Sequence, residues 1–273
     1  MNQDKLFKEL YEKSKEENKI LTPVEVINYF HHHFDEDPNV SCETWGIDNT
    51  GRPILSYTFG HGPQSILLYA FADPAEAVGG TGIIALSKLL MDKQSELSKL
   101  NYSWVIVPCL NFVDQPNHGL ENSKLQKTAA QEVDWCVSDP RPETTAILQI
   151  ASAYKPIFTF PLHDEFHHPE YVAPYCGLGK AIDVDTASNI TALFAQYNMQ
   201  MNHEYADKEL GEGFFIMESI GEEIKNSTFY AFSQYGQVLV CEIPNTNKAN
   251  DSELVFLQMA IGFTVLNDTI SKS

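Results

Sequence analysis

The chain has 273 residues, 43% of them hydrophobic and 20% charged, an ordinary globular composition with length enough for one large core or two modest ones. Eighteen Lys and Arg against 37 Asp and Glu give a formal charge of -19, a field that repels phosphate backbones and anionic lipid, so neither a nucleic acid nor a membrane is an expected partner. Only two arginines are present, Arg52 and Arg141, which excludes a site that clamps phosphates or carboxylates with several guanidinium groups.

The first residues, Met1-Asn2-Gln3-Asp4-Lys5, are polar and unlike a signal peptide, and no run approaches the roughly 20 apolar residues of a membrane span. Five scattered cysteines (Cys42, Cys109, Cys136, Cys176, Cys241) lack CxxC spacing, which argues against a disulfide framework or a thiolate zinc site. Each reads as a small buried hydrophobe, and the expectation is a soluble, cytoplasmic protein.

In chain order, residues 2–18 place Leu6, Phe7, Leu10 and Tyr11 at helical spacing. Thr22-Pro23-Val24-Glu25 combines a capping-box pattern with Pro at the first helical position, so a second helix starts there and runs to about His33. Strands are predicted over 40–46 and 53–59 around the turn Asp48-Asn49-Thr50-Gly51. Residues 65–71 are almost continuously apolar, as in a strand buried on both faces. A loop over 73–80 leads into a helix that could reach Leu100, followed by a strand over 104–110, a helix over 142–154 and a strand over 157–162. A helix over 185–197, a strand over 237–243 and a helix over 252–266 complete the pattern. Strands alternating with helices predict an α/β fold, with a mixed, mostly parallel central sheet and helices on both faces. With no linker or repeat, residues 1–273 read as a single domain, with 1–36 as an N-terminal helical extension.

Sites in open α/β sheets gather beyond the carboxyl ends of strands. Three predicted strand ends carry ionisable residues: Asp73-x-x-Glu76, Leu162-His163-Asp164-Glu165, and Glu242 within Val240-Cys241-Glu242-Ile243-Pro244. Two carboxylates three residues apart, a distant His and a further buried Glu are sufficient to hold a divalent metal and activate its water. The remaining Glu would serve as general base. DxxE alone is a weak motif, and on those residues alone solvated loop carboxylates beside a hydrogen-bonded strand-end His are the better reading.

Five segments resemble the zinc carboxypeptidase family, in family order. Residues 65–80 look like its strand–loop–helix carrying His-x-x-Glu. Val107-Pro108-Cys109-Leu110-Asn111 is similar to its Pro-x-x-Asn segment, and Arg141-Pro142-Glu143-Thr144 to its Pro-Glu-Thr helix start. Phe160-Pro161-Leu162-His163-Asp164 resembles the strand with its third zinc ligand, and 240–244 the strand with its catalytic Glu. The resemblance implies metal ligands at Glu76 and His163 and a general base at Glu242. Asp73 stands where the family has His, and is expected as the third ligand. The family's Asn-Arg pair has no counterpart in Val133-Asp134-Trp135-Cys136-Val137. Arg141 is then the candidate contact for an oxyanion or substrate carboxylate, with Lys155 or Lys180 as alternative point charges. Tyr230 and Tyr235 are weaker candidates for the family's phenol.

The resemblance thus implies a metal-dependent hydrolase, zinc its expected cofactor, cleaving an amide bond in a small peptide or N-acylated amino acid. The succinylglutamate desuccinylase and aspartoacylase branch shares this site plan. The alternative is a catalytically silent relative that binds a ligand or partner in the cleft. His31-His32-His33 reads as an exposed helix end. His167 and His168 are expected at the pocket mouth, and Asp164 is a candidate to orient His163.

Overall fold

Every long apolar run in the chain becomes a sheet strand or a packed helix in a computed structural model that describes residues 2–17, 19–48, 50–112, 140–165, 173–217, 228–244 and 249–272. Helices α1 (Gln3–Glu16) and α2 (Pro23–Phe34) come first, followed by strands β1 (Val40–Ile47), β2 (Pro53–Phe59) and β3 (Gln64–Tyr69). Next come α3 (Val78–Met91), β4 (Tyr102–Val107), α4 (Pro142–Tyr154), β5 (Phe158–Glu165) and β6 (Tyr175–Leu178). The remaining elements are α5 (Val184–Gln196), β7 (Ala206–Asp207), β8 (Gly211–Glu212), β9 (Phe214–Ile216), α6 (Thr228–Phe232), β10 (Gln237–Pro244) and α7 (Asp251–Ser271).

Among the described residues an eight-stranded sheet has the order β1-β2-β4-β3-β5-β10-β6-β9, and β7 pairs with β8 apart from it. The four central strands β4, β3, β5 and β10 are parallel. Antiparallel pairing of β1 with β2, β2 with β4, and β6 with β10 makes the sheet mixed. Strand alternation divides the buried side chains between two cores. Ile66, Leu68, Trp104, Ile106, Phe160, Leu162, Cys241 and Ile243 face the core covered by α1, α2, α3, α5 and α7. Leu67, Tyr69, Val105, Val107 and Val238 face the smaller core under α4 and α6. This is the continuous apolar patterning of strands covered on both faces.

The N-terminal helices dock on the first of these layers. Leu6 and Leu10 are fully buried, and Phe256 of α7 meets the Phe7 and Tyr11 rings edge-on at 6.0 and 5.4 Å. The capping box predicted at α2 forms between Thr22 and Glu25. Its C-terminal histidines are on the surface side, where His31 Nδ1 lies 2.8 Å from Asp35 and His33 stacks on Tyr29 at 4.0 Å.

Several boundaries differ from the sequence reading. The helix expected to reach Leu100 stops at Met91, because the Asp92 carboxylate accepts the Gln94 N–H and opens a run of turns. The strand expected over 104–110 ends at Val107. The last helix is longer than expected, and α7 is the one described helix long and apolar enough to cross a membrane by length and composition. Its most apolar window is 78% buried, and it packs on α1, α3, α5, β5 and β10 as a core helix.

Helix α3 approaches the sheet most closely at Gly79, where a Cβ would come 2.4 Å from Leu162 Cβ. At Gly82 the nearest atom is instead the flexible Met259 sulfur, 3.0 Å away. Gly79→Ala is therefore expected to destabilise by about 1–3 kcal/mol through overpacking. Gly82→Ala should be near neutral, since Met259 yields and Ala is the better helix former by about 1 kcal/mol. Urea unfolding of the two variants checks the contrast.

Candidate metal centre

The loop after β3 is bound tightly to the segment after β4. The Ala70 N–H donates to Val107 O, the Leu110 N–H to Ala70 O and the Asn111 N–H to Phe71 O. The Asn111 side-chain amide donates to Ala72 O at 3.1 Å. These bonds hold Phe71 at φ 52°, a left-handed conformation that non-glycine residues rarely adopt. The Phe71 ring then lies over Gly80, where a Cβ would meet it at 2.4 Å. Asn111 thus positions the loop carrying Glu76.

Two residues beyond Glu76, α3 begins. Its N-cap residue Ala77 has no side chain able to cap, and the buried Asp164 carboxylate accepts the Val78 N–H at 3.1 Å instead. A carboxylate at a helix N-terminus satisfies an orphan donor and opposes the helix dipole. Asp164 therefore caps α3, and the suggestion that it orients His163 is replaced. Adjacent strand residues point to opposite faces, and Asp164 faces the α3 side. His163 is held through its backbone, whose carbonyl accepts from Gln258 of α7 at 2.7 Å.

On the α4 and α6 face, the parallel register sets Glu242 of β10 directly beside His163 of β5. Glu76 reaches the same point from the loop. His163 Nδ1 lies 2.7 Å from Glu76 Oε2 and 3.8 Å from Glu242 Oε1. One ligand atom from each of Glu76, His163 and Glu242 lies within 4.8 Å of the other two. A divalent ion with bonds of about 2.1 Å in tetrahedral geometry separates its ligand atoms by about 3.4 Å. Two carboxylates and one imidazole within 4.8 Å would hold such an ion once the 2.7 Å hydrogen-bonded contact of Glu76 with His163 opens to that spacing. His163 is 3% exposed, whereas Glu76 and Glu242 are 13% and 18% exposed, so the group opens toward solvent on its carboxylate side.

Asp73, expected as a third ligand, lies outside this group. Its Oδ1 accepts the Ala75 N–H at 3.0 Å, and its carbonyl accepts the Glu76 N–H at 3.1 Å. The short side chain is used to close the turn that presents Glu76, as Asp commonly does in loops. Arg141 is at the N-cap of α4, where its carbonyl accepts the Thr145 N–H. A helix leading into a parallel strand starts at the carboxyl end of the sheet, so Arg141 is at the same end and on the same face as His163 and Glu242.

Lys155 and Lys180 are at the opposite end of the sheet. Lys155 terminates α4 just before Ile157 bonds to Ser65 near the start of β3, and the Lys180 backbone bonds to the Gln237 side chain at the start of β10. Tyr235 is also near the start of β10, and Tyr230 is 56% exposed on α6. His118, His167, His168, Cys136 and the stretch 133–137 lie outside the described residues. A cavity lined by Ile27, His31, Arg52, Leu55, Tyr57 and Cys109, among others, lies under α2 and includes none of the three clustered residues.

The site residue missing from the sequence reading is Tyr175. It pairs with Glu242 across the antiparallel β6–β10 ladder, on the same face. Burial, and after it the negative charges of Glu242 and Glu76, push the Tyr175 phenol well above its ordinary range, so it stays protonated. The short strand β6 gave no periodic signal that could have marked it.

At the level of sequence, neither a family model nor a curated protein matches the chain. Solved structures do. A metallo-carboxypeptidase from Burkholderia cenocepacia superposes with a TM-score of 0.61 at 17% identity, over 90% of this chain and 69% of that one. Carboxypeptidase A from Helicoverpa armigera gives a TM-score of 0.56 at 14% identity, over 93% of this chain and 73% of that one. The mixed sheet, its strand-end group and these superpositions agree on one architecture: the chain has the metallo-carboxypeptidase fold.

Proposed function

We propose that the chain is a metal-dependent hydrolase that cleaves an amide bond in a small peptide or N-acylated amino acid. The observation that carries this reading is the convergence of Glu76, His163 and Glu242 at the carboxyl ends of neighbouring elements, within 4.8 Å of one another. Similarity in fold to a metallo-carboxypeptidase supports it.

Glu76 and His163, in contact at 2.7 Å, would hold a divalent ion, with zinc the expected occupant and other divalent metals admissible. The ion supplies Lewis acidity toward a carbonyl oxygen and an acidified water. Glu242 is the more exposed carboxylate and lies farther from the imidazole, at 3.8 Å. It would accept a proton from the attacking water and hand it to the leaving amine. Arg141 at the start of α4 would meet a substrate carboxylate or the carbonyl oxygen. Tyr175, protonated beside Glu242, adds a hydrogen-bond donor where the chain has few cations.

A second reading, a silent relative that binds without cleaving, is favoured by one observation: Asp73, expected as a ligand, lies outside the group of Glu76, His163 and Glu242. The two readings separate on metal and activity together.

Calorimetric titration of the metal-stripped protein with zinc should give one equivalent bound. Glu76→Gln and His163→Ala should each weaken it at least about tenfold, the usual range for loss of groups around a metal. Absence of zinc binding to the parent protein would overturn the hydrolase reading. Zinc bound in the parent with no turnover of a peptide and acyl-amino-acid panel would leave the silent one.

Asp73→Ala should leave zinc affinity within about twofold while lowering stability by about 0.5–1.5 kcal/mol for the lost turn bond. A tenfold loss of zinc affinity would make Asp73 a ligand after all. The same titration and a thermal melt measure both.

A further inference from the structure

We infer that the site accepts substrates bearing an ammonium group, held against the aromatic wall of Tyr175, Tyr205 and Phe215 beside Glu242. This names the substrate class of the site proposed above and rests on that reading for the reaction itself.

The wall follows from strand register. Tyr175 is directly opposite Glu242, and residues so paired share a face with Cβ atoms about 4.5–5.5 Å apart. Two residues along the same face is Gly177, where a Cβ would come 2.4 Å from Phe215 Cζ and 2.6 Å from Phe229 Cζ. The glycine leaves room for the tips of these rings against β6, so aromatic surface continues from beside the carboxylates across the strand. Ring centroids are 4.7 Å apart for Tyr175 and Tyr205, 5.2 Å for Tyr205 and Phe215, and 6.0 Å for Tyr175 and Phe215.

Tyr205 is fixed from behind, its carbonyl accepting the Gly213 N–H at 2.7 Å, and Gly213 holds φ 81° over Met201. Yet Tyr205 is 39% exposed, and Tyr175 and Phe215 are half-buried. The rings are packed on one another but reach solvent, unlike the closed aromatic contacts of the core.

Charge selects the ligand class. Aromatic faces are the negative pole of the ring quadrupole and attract ammonium groups, most strongly where water is partly excluded. Glu242 adjoins the wall, Glu76 is near it, and the whole chain carries a formal charge of -19, which draws cations toward it. An anionic group would be repelled by the same field. A neutral group would gain contact area and nothing from charge.

The test uses the full-length protein, metal-free and zinc-loaded, with choline as the probe and 3,3-dimethyl-1-butanol as its uncharged isostere. Choline should bind at least about tenfold tighter than the alcohol, and Tyr205→Leu should weaken choline about five- to tenfold, in line with partly desolvated cation–π contacts. The variant should keep the parent's melting temperature and zinc affinity, because Tyr205 is at the rim. Tyr175→Leu gives a second reading on the inner ring. Equal binding of the two probes, no binding of choline, or choline affinity unchanged in both variants overturns the inference. Zinc bound but choline refused overturns it while leaving the hydrolase reading intact. Choline bound with no zinc site supports it as a binding surface and removes the hydrolase reading.

Discussion

The bond from the Val78 amide to the Asp164 carboxylate ties the first turn of α3 to the end of β5, and the candidate site is built outward from that joint. Glu76 is two residues before one partner and His163 one residue before the other. The joint therefore brings Glu76 and His163 into contact, at 2.7 Å. Gly79 makes the approach possible, since any Cβ there would overlap Leu162. Asn111 secures the loop from the opposite side, holding the left-handed turn at Phe71 through Ala72 and Phe71 carbonyls. A buried carboxylate between a helix start and a strand end would be unfavourable in isolation. Here it is retained because the helix leaves donors that its own N-cap, an alanine, cannot satisfy.

The alternation of β5 and β10 then separates structure from chemistry. On one face, Leu162, Cys241 and Ile243 pack under α3 and α7. On the other, His163 and Glu242 stand side by side. The antiparallel strand β6 extends both rows: Cys176 meets Cys241 on the packed face, with the sulfurs 3.5 Å apart, and Tyr175 meets Glu242 on the site face. Burial raises the Cys241 thiol well above its ordinary value, so this pair belongs to packing. The same two-residue period that makes the core continuous makes the site one-sided.

Much of this was legible because apolar strands that end in ionisable residues are conspicuous in sequence. Glu76, His163 and Glu242 each follow or interrupt such a run, and the fold brings all three together. The rest depended on information that a linear pattern does not carry. Strand direction decides which end of the sheet a loop occupies, and it sends Lys155 and Lys180 to the end opposite the site. Pairing decides which distant residue faces Glu242, and Tyr175 is brought there by a four-residue strand with no periodicity of its own. Side-chain alternation turned Asp164 from a partner of His163 into the cap of α3. Asp92 and Asp73 share a further lesson: a short carboxylate near a helix end is claimed first by local backbone amides, whether it ends the helix or shapes the turn before it.

With Asp73 claimed by its turn, the composition of the group constrains its chemistry. Glu76 and Glu242 bring two carboxylates to one imidazole, a donor set rich in oxygen. Such a donor set is harder than one with two imidazoles and shifts preference toward oxygen-loving ions relative to zinc. If Glu242 were drawn in as a ligand, the group would gain coordination and lose its proton acceptor. Its greater distance from His163, 3.8 Å against 2.7 Å for Glu76, and its greater exposure keep it on the side where water arrives. Tyr175, half-buried and protonated, pairs with Glu242 across the ladder and adds no charge of its own beside it. The arrangement thus sets two carboxylates at different distances from one imidazole, with Glu76 in contact and Glu242 set back toward solvent.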